Sequence, residues 1–169
     1  TDYAIMSIKG STVAIYATNT AEQAEFIVND AGIKVIFVDD QFQYDNVMKF
    51  FKGNKTLKKI IVFNKSVKID KDENIMYIDD LYSLGKKSGM ENELSRRLAS
   101  AEEDDISTII YTSGTTGDPK GAMLAHKSFF VEMNALDLGF PMGEDDVELV
   151  FLPLSHVYGK ASMYWIHSK

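Results

Sequence analysis

The sequence predicts an α/β fold, a doubly wound and mostly parallel sheet with flanking helices. Two features predict it. Short apolar runs rich in β-branched residues alternate with segments of helical spacing about 10 residues long, which is the pattern of parallel βαβ units. The 169 residues are 45% apolar and 25% charged, a composition that supports a packed core rather than disorder.

The first half of the chain alternates helices and strands. Apolar runs at 4–8 and 13–17 around Gly10 predict the end of a helix followed by a strand. Thr20 and Gln23 then form a capping box, in which the two residues satisfy each other's free backbone N–H groups. The elements predicted next are a helix over 21–31 that ends at Gly32, a strand over 33–38, a helix over 44–52 that ends at Gly53, strands over 59–63 and 75–78, the start of a helix at 80–85, and a helix over 91–100.

The second half contains the strand that leads into the most informative stretch. Before this strand, the run of carboxylates at 102–105 predicts a solvated acidic loop. A metal site is disfavoured there, because the carboxylates lack the alternating spacing of a calcium loop. The elements predicted from there are a strand over 106–111, a loop, a short strand over 122–125, an apolar helix that opens at 126–128 and ends near Gly139, a turn over 141–146, and a strand over 147–152.

The loop after residue 111 has a composition suited to binding phosphate. Glycine allows positive φ and lets backbone N–H groups converge closely on an anion. Hydroxyl groups and one lysine supply further donors and a positive charge. The residues concerned are Thr112, Ser113, Gly114, Thr115, Thr116, Gly117, Lys120 and Gly121. A polyphosphate satisfies all of these groups together.

This loop differs from the P-loop of nucleotide triphosphatases. Pro119 precedes Lys120 and Gly121 follows it, so the Gly-Lys step and the magnesium-binding hydroxyl of a P-loop are both missing. The residues that follow predict a strand, whereas a P-loop leads directly into a helix. The sequence therefore disfavours a phosphotransferase that uses a conventional P-loop.

Thr112 to Gly121 resembles, at every position, the signature (S/T)-S-G-(S/T)-T-G-x-P-K-G of the AMP-forming adenylating superfamily. This superfamily comprises acyl-CoA synthetases, luciferases and the adenylation domains of peptide synthetases. Residues 151–159 resemble its next motif, LPLSHVF or LPLFHVYG, at a plausible distance from the first. Residues 15–23 resemble the strand-to-helix passage P-x-Y-x-T-x-x-x-E-Q of the fatty-acid enzymes.

The resemblance implies a ligase reaction in two halves. A carboxylic acid and ATP first form an acyl-adenylate and pyrophosphate, and the acyl group then passes to a thiol, usually that of coenzyme A. It implies that Mg²⁺ accompanies ATP. A hydroxyl of Thr115 or Thr116 would contact this ion, and its other protein ligands are left unassigned. It also implies that residues 112–117 hold the β- and γ-phosphates and that Lys120 stabilises the departing pyrophosphate. His156 would help to hold the acyl carboxylate or the α-phosphate.

Within the superfamily, the chain is most similar to long-chain acyl-CoA synthetases. It departs from them at Tyr158-Gly159-Lys160, where that group usually has a Glu-Arg pair, so medium-chain, aryl and amino-acid substrates stay open. Of the other two histidines, we expect His126 to lie at a helix start and His167 to be structural or exposed.

The resemblance covers only part of such an enzyme. We expect residues 1–169 to be a partial N-terminal domain, because the family's YGxTE segment, its ribose-binding Asp and its small C-terminal domain would follow residue 169. The fragment alone is then expected not to form acyl-adenylate. The alternative is a non-catalytic nucleotide-binding or regulatory module of the same fold.

Charge and composition restrict the partners. The net charge of -7 disfavours nucleic acid. Cysteine is absent, which excludes disulfides and thiolate metal sites, and no apolar run approaches the roughly 18 residues of a membrane span. We expect a cytoplasmic protein that binds a small carboxylic acid, ATP and coenzyme A, with peripheral membrane association only through a lipid substrate. The oligomeric state is left open.

Overall fold

A computed structural model of the chain describes residues 1–112, 118–140 and 142–169, and shows helices alternating with strands. The chain divides into two units. We call Ile15–Glu93 the middle unit, and Thr1–Ala14 together with Leu94–Lys169 the motif unit, because the latter carries residues 112–121 and 151–159. Helix α5 (Glu91–Ala99) crosses the boundary between them.

The middle unit is a three-stranded parallel sheet with helices. Its strands β2 (Val35–Val38), β3 (Lys59–Val62) and β4 (Ile75–Tyr77) pair in that order, and every pairing is parallel. The predicted capping box is present, since the Gln23 N–H donates to Thr20 Oγ1 and the Thr20 N–H to Gln23 Oε1. The elements are α2 (Ala21–Asp30), β2 (Val35–Val38), α3 (Gln41–Phe51), β3 (Lys59–Val62), β4 (Ile75–Tyr77) and α4 (Ile78–Lys86).

An apolar core fills the middle unit. Ile60 and Val62 on the central strand are fully buried, as is Val28 on α2. They belong to one cluster with Tyr44, Val47, Phe50 and Phe51 of α3 and with Leu57, Val67 and Ile75. β3 is buried along most of its length because it is the central strand, which explains its continuous apolar sequence.

The motif unit contains a mixed three-stranded sheet. Its strands β1 (Thr12–Ala14), β5 (Ile106–Thr112) and β6 (Lys120–Ala125) pair in that order, with β1 parallel and β6 antiparallel to the central strand β5. The unit comprises α1 (Asp2–Ser7), β1 (Thr12–Ala14), β5 (Ile106–Thr112), β6 (Lys120–Ala125), α6 (His126–Gly139) and α7 (Val157–His167).

The predicted fold class is confirmed, with two corrections. The strands form two separate three-stranded sheets, and the second is partly antiparallel because β5 and β6 are joined directly across a short loop. The strand predicted over 147–152 is wrong, since these residues have no regular secondary structure. An apolar run forms a strand only where a neighbouring strand pairs with it, and the described sheets do not pair with this run.

Candidate functional site

The predicted phosphate loop connects two antiparallel strands. Thr112 is the last residue of β5, Lys120 is the first of β6, and the two lie opposite each other in the ladder. Both are exposed. The loop therefore leaves and re-enters the sheet at one point, with the Lys120 side chain beside the strand end. The strand after the loop confirms the distinction from a P-loop.

Gly121 allows close packing at the base of this loop. A Cβ atom at this position would lie 2.9 Å from Ile109 Cγ2 and 3.0 Å from Tyr111 Cζ, closer than van der Waals contact. Tyr111, which lies opposite Gly121 in the ladder, is buried. The last glycine of the motif thus makes room for the tyrosine that precedes the loop.

Ser113, Gly114, Thr115, Thr116 and Gly117 lie outside the described residues. Their predicted contacts with the β- and γ-phosphates stay predictions, as does the convergence of their N–H and hydroxyl groups on one hollow. The described flanks of the loop are Thr112 on one side and Asp118, Pro119 and Lys120 on the other.

Polar side chains anchor β5 below the loop. Ser107 and Thr108 are both fully buried. The Ser107 hydroxyl donates to the Leu124 carbonyl on β6 (3.0 Å), and the Thr108 hydroxyl donates to the Thr12 carbonyl on β1 (3.0 Å). β5 is therefore tied to both neighbouring strands by side-chain bonds in addition to the backbone ladder.

His156 is the N-cap residue of α7. Its Nδ1 accepts a hydrogen bond from the Tyr158 backbone N–H (3.2 Å). In a neutral ring whose Nδ1 accepts, the proton resides on Nε2. The side chain is exposed, so this Nε2–H is available as a donor toward an anion.

The chain turns tightly into α7. The His156 N–H donates to the Pro153 carbonyl (2.8 Å). A Cβ atom at Gly159 would lie 2.7 Å from the Pro153 carbonyl oxygen and 2.8 Å from that of Leu152. Only glycine permits this approach of the first helical turn to the preceding backbone, and the position of His156 depends on it.

The remaining histidines take the predicted places. His126 is the first residue of α6, and its N–H donates to the Asp105 carbonyl (3.1 Å). His167 is exposed, and its Nδ1 lies 3.2 Å from the Tyr3 hydroxyl oxygen. In the described part of the chain, no group of histidine and carboxylate side chains is arranged to hold a metal ion.

The acidic loop before β5 is bound into the structure. The Glu102 N–H donates to the Asp105 carboxylate (2.9 Å), and Lys9 Nζ lies 2.9 Å from the same group. These two interactions lower the pKa of Asp105, the backbone hydrogen bond more than the lysine. The Lys127 N–H also donates to the Glu103 carbonyl, so the loop helps to place the start of α6.

Lys160 has no role predicted from the sequence, yet its side chain is almost completely buried in the motif unit. The signal that could have revealed it is a lone lysine in the otherwise uncharged run 157–166, one turn after His156. A lysine on the inner face of a helix is uncommon unless its charge is paired.

A family match and the similarity to curated proteins agree with each other. The family described as AMP-binding enzyme matches residues 1–169. The chain is 31% identical over 162 residues to the long-chain-fatty-acid–CoA ligase ACSBG2 of Homo sapiens, covering 95% of this chain and 24% of that protein. It is 33% identical over 171 residues to the long-chain-fatty-acid–CoA ligase FadD15 of Mycobacterium bovis, covering 99% and 27%.

A solved structure shares the fold. ATP-bound MatB from Rhodopseudomonas palustris superimposes with a TM-score of 0.65 at 20% identity, covering 98% of this chain and 30% of that one. The chain spans about a quarter of the length of the two curated relatives. Over the ranges that the structure describes, every helix is too short or too polar to cross a membrane.

Proposed function

Since the chain belongs to the AMP-binding enzyme family, we propose that the protein of which it forms a part is a long-chain fatty acid–CoA ligase. The observation that carries the proposal is the complete ten-residue signature over 112–121, placed on the β5–β6 connection with Lys120 opposite Thr112. The substrate class is supported by relatives that are named as long-chain-fatty-acid–CoA ligases and match nearly the whole chain.

The proposed reaction has two balanced steps. In the first, a carboxylate oxygen attacks the α-phosphorus of ATP, the bond to the bridging oxygen breaks, and pyrophosphate leaves. In the second, the sulfur of coenzyme A attacks the acyl carbon, the thiol loses its proton, and AMP leaves. The first step spreads negative charge over phosphate oxygens, so the protein accelerates it mainly by positioning and by charge stabilisation.

In this proposal the loop binds the triphosphate. Backbone N–H groups and hydroxyls of residues 112–117 hold the β- and γ-phosphates, and Lys120 offsets the charge that develops on pyrophosphate. The exposure of Thr112 and Lys120 at one end of the sheet supports this arrangement, since both side chains are accessible to a ligand at that end.

His156 is proposed to act as a hydrogen-bond donor. Its Nδ1 is occupied by the Tyr158 N–H, which leaves the Nε2–H for the acyl carboxylate or the α-phosphate. Such a contact holds the attacking oxygen near phosphorus without removing a proton, because a carboxylate carries none at neutral pH.

Mg²⁺ is proposed to enter with ATP as part of the substrate. The hydroxyl of Thr115 or Thr116 remains the proposed protein contact. Magnesium suits such a role because it keeps several waters and is held largely by substrate phosphates. We also propose a cytoplasmic protein that contacts membranes only when it takes up its lipid substrate.

The test is ATP–pyrophosphate exchange by the full-length protein across a panel of carboxylic acids. The expected result is the fastest exchange with long-chain fatty acids and slower exchange with medium-chain, aryl and amino acids. Another preferred acid would overturn the substrate class. ATP binding without exchange on any acid would replace the ligase with a non-catalytic nucleotide-binding module.

A second test concerns Lys120. In the full-length protein Lys120→Ala should slow adenylation by about 10²–10³-fold, as expected when a charge-stabilising donor is removed. The matched control is Lys65→Ala, because Lys65 is a lysine with 70% side-chain exposure that lies outside every motif. Equal rates in the two variants would remove Lys120 from its proposed role.

The third test concerns residues 1–169 alone, which we propose to be inactive. The chain spans about a quarter of its relatives, and the ligand groups that the family resemblance places further along the chain are not in it. Release of pyrophosphate by this fragment with ATP and a fatty acid would contradict the proposal.

A further inference from the structure

Lys160 is a buried lysine that the proposed reaction does not use. It lies on α7, one helical turn after His156, and its backbone N–H donates to the His156 carbonyl (3.0 Å). Only 4% of its side chain is exposed. An ammonium group removed from water is strongly unfavourable unless hydrogen-bond partners replace the solvent.

Three acceptors surround the Lys160 ammonium group. Nζ lies 3.0 Å from Asp2 Oδ2, 2.9 Å from Thr12 Oγ1 and 3.0 Å from Thr108 Oγ1. An ammonium group has three protons, so each proton has one partner. The charge is compensated by the carboxylate, and the geometry is fixed by the two hydroxyls.

The acceptors are themselves fixed by further bonds. The Thr108 hydroxyl donates to the Thr12 carbonyl (3.0 Å), and the Tyr164 hydroxyl donates to Asp2 Oδ2 (3.0 Å). Burial, and next the charge of Asp2, raise the pKa of Tyr164, which therefore stays a neutral donor. The network joins α1, β1, β5 and α7, all within the motif unit.

This network links the strand that precedes the first motif to the helix that begins within the second. Thr108 lies on β5, four residues before Thr112, where the phosphate loop begins. Lys160 lies one turn after His156, at the N-terminus of α7. A bond between them sets how α7 is rotated and how far it is shifted along β5. An apolar side chain would fill the same space without fixing either.

We propose that Lys160 is a positioning residue, which holds His156 in a fixed place relative to Thr112, the last residue of β5. This inference rests on the proposed ligase function, because it assigns His156 and the loop to one reaction. A displacement of about 1 Å in such an arrangement lowers the rate by up to roughly 10²-fold, even far from the reacting atoms.

The experiment compares two lysine variants of the full-length protein. Lys160→Met removes the charge and the directional bonds but keeps a long side chain. The matched control is Lys9→Met, since Lys9 is also a paired lysine of the motif unit, bonded to the Ser100 carbonyl (2.8 Å) and Asp105 (2.9 Å), and it does not contact α7 through these bonds. Active sites are counted by the burst of acyl-adenylate in a single turnover.

The readout is the rate of adenylation per active site, together with KM for ATP and for the acid. A merely structural role would reduce the number of active sites and leave the rate of each unchanged. We expect Lys160→Met to lower kcat per active site about tenfold or more with a smaller change in KM, and Lys9→Met to stay within about twofold of wild type.

The possible outcomes distinguish the positioning role of Lys160 from the proposed ligase function. An active wild type whose Lys160→Met variant keeps kcat per active site would overturn the positioning role alone. A wild type inactive on every acid would overturn the ligase. If Lys160→Met does not fold, Thr12→Val and Thr108→Val each remove one acceptor, and each should lower kcat per active site about threefold or more. Unchanged kcat in both would overturn the inference.

Discussion

The middle unit and the motif unit have different interiors. The buried cluster of the middle unit is apolar and extends from α2 through the parallel sheet to α3. Among the described residues, the buried polar side chains lie in the motif unit with the exception of Asn46. They include Lys160, whose charge is matched by Asp2. One unit is stabilised mainly by removal of apolar surface from water, the other in large part by directional bonds.

The two units also differ in what they expose. Val147, Leu149 and Phe151 of the motif unit are 96%, 83% and 78% exposed. The most exposed large apolar residue of the middle unit is Tyr82, at 61%. The motif unit therefore buries more polar side chains and exposes its apolar residues more strongly than the middle unit does, and large exposed apolar residues are typical of interaction surfaces.

The largest expected effect tests the apolar core of the middle unit. Ile60→Ala removes three carbon atoms from a fully buried position and should destabilise this unit by about 2–5 kcal/mol. Hydrogen exchange by mass spectrometry over peptides that contain 59–62 measures the loss. Unchanged amide protection over 59–62, or a loss of protection confined to peptides of 106–112, would contradict the assignment of this apolar core to the middle unit.

Exchange of shape-matched side chains tests the polarity of both interiors. Thr108→Val deprives Lys160 of an acceptor, and Val62→Thr places a hydroxyl in the apolar core. Each should destabilise its own unit by about 1–3 kcal/mol, although one substitution removes a hydroxyl group and the other adds one. Local hydrogen exchange distinguishes the units. A stabilising effect of Thr108→Val would show that the polar network is dispensable for folding.

A glycine-to-alanine substitution should destabilise a helix of the motif unit and stabilise a helix of the middle unit. A Cβ at Gly159 would meet backbone carbonyl oxygens, so Gly159→Ala should destabilise α7 by about 1 kcal/mol or more. Gly85, on α4, has open space where a Cβ would be added, and Gly85→Ala should stabilise that helix by roughly 0.8 kcal/mol. Amide exchange of the two helices is the measurement. A gain at Gly159 would refute the close approach.

The smallest effect concerns the partly exposed Lys9–Asp105 pair. The Glu102 N–H and Lys9 lower the pKa of Asp105 in the folded state. Its stabilisation is therefore present above the ordinary pKa of an aspartate, about 3.9, and is lost as the pH falls through the lowered folded value. We expect protection of amides over 102–105 to decrease below about pH 4. Asp105→Asn should abolish this dependence, and an equal decrease in the variant would contradict it.

Much of the local structure follows from short-range rules. The Thr20 capping box, the strand before the phosphate loop and the strand after it were predicted and are confirmed, because caps, glycines and β-branched runs act over a few neighbouring residues. The helix start at His126 is confirmed for the same reason. The complete signature over 112–121 also predicted the family, which the match over residues 1–169 confirms.

The errors lie where one segment needs another. Residues 147–152 have the apolar composition of a strand, but composition does not provide a pairing partner. The division into two sheets depends on which strands meet, and β1 pairs with β5 across more than ninety intervening residues. Sequence periodicity contains no information about such pairings.

By itself the sequence determined the alternation of helices and strands, the strands on both sides of the signature over 112–121, and the family. These depend on backbone sterics and on side-chain chemistry within about 10 residues. Only the tertiary structure decided that Lys160 meets Asp2, Thr12 and Thr108. The physical reason is that a buried charge is stable only where distant segments bring their acceptors together.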